Sequence, residues 1–415
     1  MNVLGDIVSA NRAGERRGIP SFCTAHPETL SAIFAAYRDD DAPILIEATC
    51  NQVNQFGGYT GMNPAQFRSF VKNLAQREGV DPTRLILGGD HLGPNPWKGE
   101  PGEVAMAKAR DMVAAYVAAG FTKIHLDASI ACADDVALDD ATMAARAAEL
   151  CAVAEASAKT DLCYVIGTEV PIPGGETEVL HTLGVTAPEA AARTHELHRE
   201  AFAARGLSAA FERVVGIVVQ PGVDFGNAQV FAFAPEKAET LSRSVEALPG
   251  LVFEAHSTDY QSEGALSDLV AAHFAILKVG PELTFAFRQA VTALAHIEAA
   301  LNLAEPSRIL DVITAEMRAN PHDWRAYVAA DDREATMMLY GLSDRVRYYW
   351  PRPAIQAALT KLYENIAAAR PEPGLVAQFT GRLVEARGEP ADLPRDIIET
   401  MVGDVVRKYR AAAGD

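Results

Sequence analysis

Eight short apolar runs recur along the first 280 residues, and each is followed by a stretch with helical spacing. The runs are Ile19 to Thr24, Pro43 to Ala48, Arg84 to Asp90, Thr122 to Ala128, Leu162 to Glu169, Val214 to Gln220, Leu251 to His256 and Phe274 to Gly280. Each is apolar on both faces, as a parallel strand is when one face packs inside a sheet or barrel and the other packs against helices. The stretches between them are rich in Ala, Leu and Glu, and Pro64, Pro188 and Pro235 stand where proline suits a first helical position. Strict strand-then-helix alternation implies parallel pairing with right-handed crossovers. Eight such units predict closure into a (β/α)8 barrel over residues 1–303, not an open doubly wound sheet. No Gly-rich dinucleotide fingerprint follows the first run, and polar strand ends recur after strands three to seven instead of gathering at one switch point.

The 415 residues exceed the roughly 250 of a bare barrel. After Leu303 the alternation stops, and residues 304–415 read as a helical extension broken near Asn320-Pro321, Trp350-Pro351, Pro371 to Gly374 and Gly388 to Pro394. Such an extension can pack on the barrel wall, cover its mouth or serve in assembly. No apolar stretch approaches the ~18 residues of a membrane span, and the first 18 residues lack a secretory pattern, so a cytoplasmic protein is expected. The balance of 37 basic against 55 acidic residues, a net −18, argues against nucleic acid or an anionic membrane as partner. Five cysteines without a C-x-x-C pair indicate neither a disulfide framework nor a thiolate zinc site, and Cys23, Cys50 and Cys163 read as small hydrophobes beside strands.

Chemistry is expected at the carboxyl ends of the strands. The third ends Gly88-Gly89-Asp90-His91-Leu92-Gly93, with glycines that let the backbone approach a ligand, and the seventh ends Glu254-Ala255-His256-Ser257-Thr258-Asp259. Two imidazoles at one rim suit a divalent transition metal, with Zn2+ the default where no redox chemistry is needed. The fifth run leads into Glu169 and then Gly174-Gly175-Glu176, a ligand candidate followed by a base on a glycine-hinged loop. Asp127 and Gln220 complete the ring as ligand contacts. Ser257, Thr258, Lys278 and Gly280 occupy the positions after strands seven and eight where barrels commonly hold phosphate, although Lys278 lies inside its strand and can instead pair with an acidic residue there. Arg345 and Arg347, ahead of Tyr348-Tyr349-Trp350, either reach over the mouth to a second phosphate or belong to an aromatic seam.

The order Asp90-His91, Glu169, Gly174-Gly175-Glu176 and His256 resembles the class II, metal-dependent ketose-bisphosphate aldolases. More specifically, Gly18-Ile19-Pro20-Ser21, Gly88 to Asn95, Gln220-Pro221-Gly222-Val223, Glu254 to Gln261 and Leu342-Ser343-Asp344-Arg345 are similar to the GatZ/KbaZ family, over nearly the whole chain. That resemblance implies an accessory, non-catalytic subunit of D-tagatose-1,6-bisphosphate aldolase that stabilises and activates a separate class II catalytic subunit. The aldolase pattern implies His91 and His256 as metal ligands, Glu169 as a neighbouring ligand, Asp90 as a proton donor and Glu176 as a hydroxyl-side base. It also implies a third imidazole after strand six, where this chain has Gln220, a weaker zinc ligand. The alternative is that the chain is itself a metal-dependent aldolase or ketose C4-epimerase acting on a ketose phosphate. A tagatose 6-phosphate kinase is the third reading, and it lacks support because no G-x-x-x-x-G-K-[ST] loop is present. Homo-oligomerisation is left open.

Overall fold

The structure, a computed structural model, describes residues 3–167, 183–384 and 386–414. Eight parallel strands close into a barrel: β1 (Ile19–Cys23), β2 (Ile44–Thr49), β3 (Leu85–Leu92), β4 (Lys123–Leu126), β5 (Cys163–Ile166), β6 (Val214–Val219), β7 (Val252–Ala255) and β8 (Phe274–Val279). Each strand pairs with its neighbours in sequence, and β8 pairs with β1 to complete the ring. The (β/α)8 expectation therefore holds. Helices Pro64–Arg77 and Pro188–Ala204 begin at the predicted prolines, and the first is sealed by a capping box between Asn63 and Gln66. The two-residue hairpin strands Asp224–Phe225 and Val230–Phe231 were not anticipated, being too short to give a period.

The helix Val3–Arg12, also unanticipated, closes the amino-terminal end of the barrel. Its buried Leu4, Ile7 and Val8 join Leu45, Val165, Val218 and Ile276 in an apolar cluster inside the ring. Above that cluster the interior becomes charged. Glu47 on β2 is level with Gly88 on β3, which is level with Lys123 on β4. A side chain at position 88 would collide with the Glu47 carboxylate, so this glycine leaves the space in which Glu47 and Lys123 meet.

The helices beyond residue 304 both flank and cover the barrel. Helix Leu393–Ala413 packs between Pro27–Ala36 and Pro281–Ala300 as part of the outer wall. From it Tyr409 donates to the Thr258 carbonyl at 2.7 Å, and Arg410 lies over the Tyr37 ring. The segment around residues 344–351 reaches the mouth, where Trp350 packs edge-on against Phe287 and Tyr348 meets Tyr59. No described helix is long and apolar enough to cross a membrane. No disulfide joins the five cysteines; Cys50 and Cys163 are buried as expected, whereas Cys23 is half-buried.

Candidate functional site

Two strand ends turn sharply at the carboxyl rim. His91 at φ 48° and Ser257 at φ 52° both adopt the left-handed region that non-glycine residues avoid, so the rim is held in shape by its contacts and not by backbone preference. Gly93 lies so close to the Asp127 carbonyl that no side chain fits there, and this approach brings the β3 end against the β4 end. His91 Nδ1 and Asp127 Oδ2 are consequently 2.6 Å apart, and Asp127 also accepts from Ser129. With Nδ1 bound to a carboxylate, His91 turns its other nitrogen, Nε2, to a buried position with no hydrogen-bond partner among the described residues.

His256 is arranged the same way with its nitrogens exchanged. Its Nε2 is 2.9 Å from Glu254 Oε1, and its buried Nδ1 has no partner among the described residues. A third imidazole, His125 on β4, completes a triangle with ring centroids 4.8 Å from His91 and 5.4 Å from His256, while His91 and His256 are 4.9 Å apart. Donor atoms of Asp90, His91, His125 and His256 all lie within 4.8 Å of one another. Two orphaned, buried imidazole nitrogens beside a carboxylate are what a divalent cation requires, so these residues fit a metal.

Beneath the imidazoles is a buried ion network. Lys123 Nζ reaches Glu47 at 2.5 Å and Glu254 at 2.8 Å; Lys278 Nζ pairs with Glu47 and lies 2.6 Å from Asp90 Oδ1. Burial disfavours ionising Asp90, but the adjacent His91 and Lys278 overrule it and hold the carboxyl well below its usual range. Burial likewise opposes charge on His91, yet Asp90 and Asp127 raise its pKa. His256 is pushed down to about 3 by burial, which the Glu254 contact only partly offsets, so it is a neutral donor at neutral pH. Three carboxylates, Glu47, Asp90 and Glu254, face two ammonium groups, Lys123 and Lys278. One negative charge is in excess, and a cation at the imidazoles would offset it.

The residues anticipated from sequence fall into groups. Asp90, His91 and His256 converge. Glu169 and Glu176 lie outside the described residues. Asp127 buttresses His91, and Lys278 joins the interior network while also lining the cavity above. Asp90, expected as a proton donor, is held ionised and must take a proton before it can give one. The Gln220 side chain bonds its own loop through Gly222 and Val223. Thr258 spends its hydroxyl on the Lys278 carbonyl and Tyr409, and the Gly280 amide donates to Asp259. Ser257 lines the cavity with a hydroxyl that has no hydrogen-bond partner among the described residues. His125, Glu47, Glu254 and Lys123 were missed. For His125, Lys123 and Glu254 the signal was a charged or imidazole residue two positions from another, as in Lys123-Ile124-His125-Leu126, whereas Glu47 stands alone in an otherwise apolar strand.

A cavity of about 480 Å³ opens above this centre, within the usual size of small-molecule sites. Strand ends line one side, with Asp90, His91, Ser257 and Lys278; the extension supplies Arg347, Tyr348 and Trp350.

The family model described as D-tagatose-1,6-bisphosphate aldolase subunit GatZ/KbaZ-like matches residues 4–414. The chain belongs to this family. The D-tagatose-1,6-bisphosphate aldolase subunit GatZ of Klebsiella pneumoniae subsp. pneumoniae is 49% identical over 420 residues, covering 98% of either chain. Its counterpart in Salmonella typhimurium is 48% identical over 416 residues, again covering 98% of each. A solved structure from Sinorhizobium meliloti 1021, named a probable tagatose 6 phosphate kinase, superposes with a TM-score of 0.87 at 46% identity, covering 95% of this chain and 100% of that one. The GatZ/KbaZ-like resemblance read from the motifs thus extends to the whole chain, including the residues that roof the cavity.

Proposed function

We propose that this chain is the accessory subunit of a class II D-tagatose-1,6-bisphosphate aldolase, stabilising and activating a separate catalytic subunit in cytoplasmic carbohydrate catabolism. The observation that carries the proposal is likeness to proteins named as that subunit, at about half identity over 98% of either chain. The His91 and His256 nitrogens, with Asp90 and His125 beside them, would hold a divalent ion, and Zn2+ suits imidazole donors best. Such an ion, when bound, supplies Lewis-acid polarisation of a ligand oxygen. Around it the chain's own groups act by position. Asp127 and Glu254 each fix the tautomer and direction of one imidazole, and Lys278 keeps Asp90 ionised as a proton acceptor. Glu169 and Glu176 remain candidates for a further ligand and a base.

The test is a coupled assay of tagatose 1,6-bisphosphate cleavage by a class II catalytic subunit, with and without this chain. Added chain is expected to raise turnover and lengthen the partner's half-life on heating, and by itself to give none. A second reading, that the chain is a metal-dependent aldolase or C4-epimerase in its own right, draws on one observation: His125 places a third imidazole at the centre, and if its Nδ1 exchanged its contacts with Asp90 and the His91 amide for an ion, Gln220 would be no reason to regard the centre as incomplete. Turnover or epimerisation by the isolated chain, abolished by His91→Ala together with loss of bound metal, would establish it in place of the first. ATP-dependent phosphorylation of tagatose 6-phosphate would displace both.

A further inference from the structure

Barrels of this kind commonly seat a phosphate on the amide groups after strand eight. Here that seat is filled from within. The amides of Gly280 and Glu282, at the start of helix Pro281–Ala300, both donate to Asp259 Oδ1, at 3.1 and 2.7 Å, and the Thr258 hydroxyl is spent on the Lys278 carbonyl. A phosphate at that position would meet a buried carboxylate. Lys278, the ammonium that lines the cavity, is already shared among Glu47, Asp90 and Glu254.

Among the described residues the cavity nevertheless holds one arginine with no carboxylate in ion-pair contact. Arg288 of helix Pro281–Ala300 pairs with Asp344 of the extension at 2.8 Å, and Arg345 gives its Nε–H to the Asp323 carbonyl while lying over the Tyr327 and Tyr348 rings. Arg345 is thus part of an aromatic seam. Arg347 differs: it lines the cavity and pairs with no carboxylate among the described residues. Its guanidinium is oriented by the Ser343 and Asp344 carbonyls at Nη1 and by the Tyr348 hydroxyl, 3.0 Å from Nη2. Among the described residues, five donors and three bonds leave two N–H groups for a ligand, on a guanidinium already held in place and partly desolvated. The same cavity presents Thr49, Asn51, Gln52 and Asn95, neutral partners suited to hydroxyl groups.

We infer that Arg347, carried over the barrel mouth by the extension, anchors the phosphate of a sugar phosphate whose hydroxyl-bearing carbons lie toward Asp90 and His91. The identity of the sugar rests on the function proposed above; the anion site does not. In a protein of net charge −18, one fixed guanidinium is a local exception to the surrounding field, and an arginine fork matches a phosphate's paired oxygens.

Isothermal titration of the full-length chain with tagatose 6-phosphate, tagatose and inorganic phosphate tests this. The phosphorylated sugar is expected to bind at least about tenfold more tightly than tagatose, the magnitude of one charge-assisted contact. Arg347→Gln should erase that difference and Arg347→Lys should keep part of it, with melting temperatures showing that both variants are folded. Equal affinity of the wild-type chain for tagatose and tagatose 6-phosphate overturns the inference without need of any variant, as does a preference that survives Arg347→Gln. A chain that binds phosphate through Arg347 but does not stimulate a catalytic subunit overturns the proposed function and leaves the anion site standing.

Discussion

Asp127 shows how a residue at a strand end can belong to a site without touching ligand. Its 2.6 Å contact with His91 Nδ1 decides which imidazole nitrogen faces the cavity, so Asp127→Asn, which keeps the shape but removes the charge, should leave the fold intact. Zinc affinity measured by competition with a chromogenic chelator should fall about 10- to 100-fold, the usual effect of losing such a buttress. An unchanged affinity would mean that His91 is not a ligand. At this scale the sequence was partly legible. Asp90, His91 and His256 could be found because they close strands, whereas His125 is a strand-interior residue flanked by Ile124 and Leu126, and its relation to His256 exists only once the ring is closed. Gln220 was read as the defect of the metal site from its position after strand six; in the structure its carbonyl oxygen serves its own loop.

At the scale of elements, the strand–helix rhythm was legible because apolar period and proline starts report local structure. Which groups cap which helix was not, because caps are tertiary. The start of helix Pro281–Ala300 is capped by Asp259, a residue that precedes strand eight. Burial raises the Asp259 pKa to about 7, with Glu282 adding to it and the backbone N–H groups of Gly280 and Glu282 opposing. Because this value lies above the ordinary 3.8, the folded chain retains a proton that the unfolded chain releases between about pH 4 and pH 7. Stability is therefore lost as pH rises through that window, at up to about 1.4 kcal/mol per unit, and changes little above it. Asp259→Asn keeps an oxygen acceptor for both amides and does not titrate. Its urea midpoint should match or fall below wild type near pH 4 and exceed it increasingly up to about pH 7. Parallel midpoints across that range would show that Asp259 is not the titrating group.

Across the whole molecule, barrel closure brings charges from five strands into one buried space, and this is what the linear pattern conceals most completely. Glu47, Asp90, Lys123, Glu254 and Lys278 are at most 4% exposed, and Glu47 and Lys278 each look like a single interruption in an apolar run. Together they form the layer between the apolar plug of the Val3–Arg12 helix and the imidazole triangle. Their energetic worth is asymmetric. A buried ion pair contributes little relative to a well-packed apolar substitute, but removing one partner leaves the other buried and uncompensated. Lys123 is central in this respect, since it neutralises both Glu47 and Glu254, and Glu254 in turn fixes His256. Lys123→Met should therefore cost about 3–5 kcal/mol in urea unfolding, and Lys123→Met combined with Glu47→Gln should recover part of that loss by removing an unpaired charge. The same single variant should weaken zinc binding although residue 123 is no ligand, because Glu254, left with only the more distant Lys278 ammonium at 3.6 Å, would draw a proton or turn from His256. Zinc affinity that stays unchanged while stability falls would separate the network from the metal centre and make the charged layer purely structural. Loss of both, with recovery of both in the double variant, would establish that the barrel interior and the rim chemistry are one electrostatic unit.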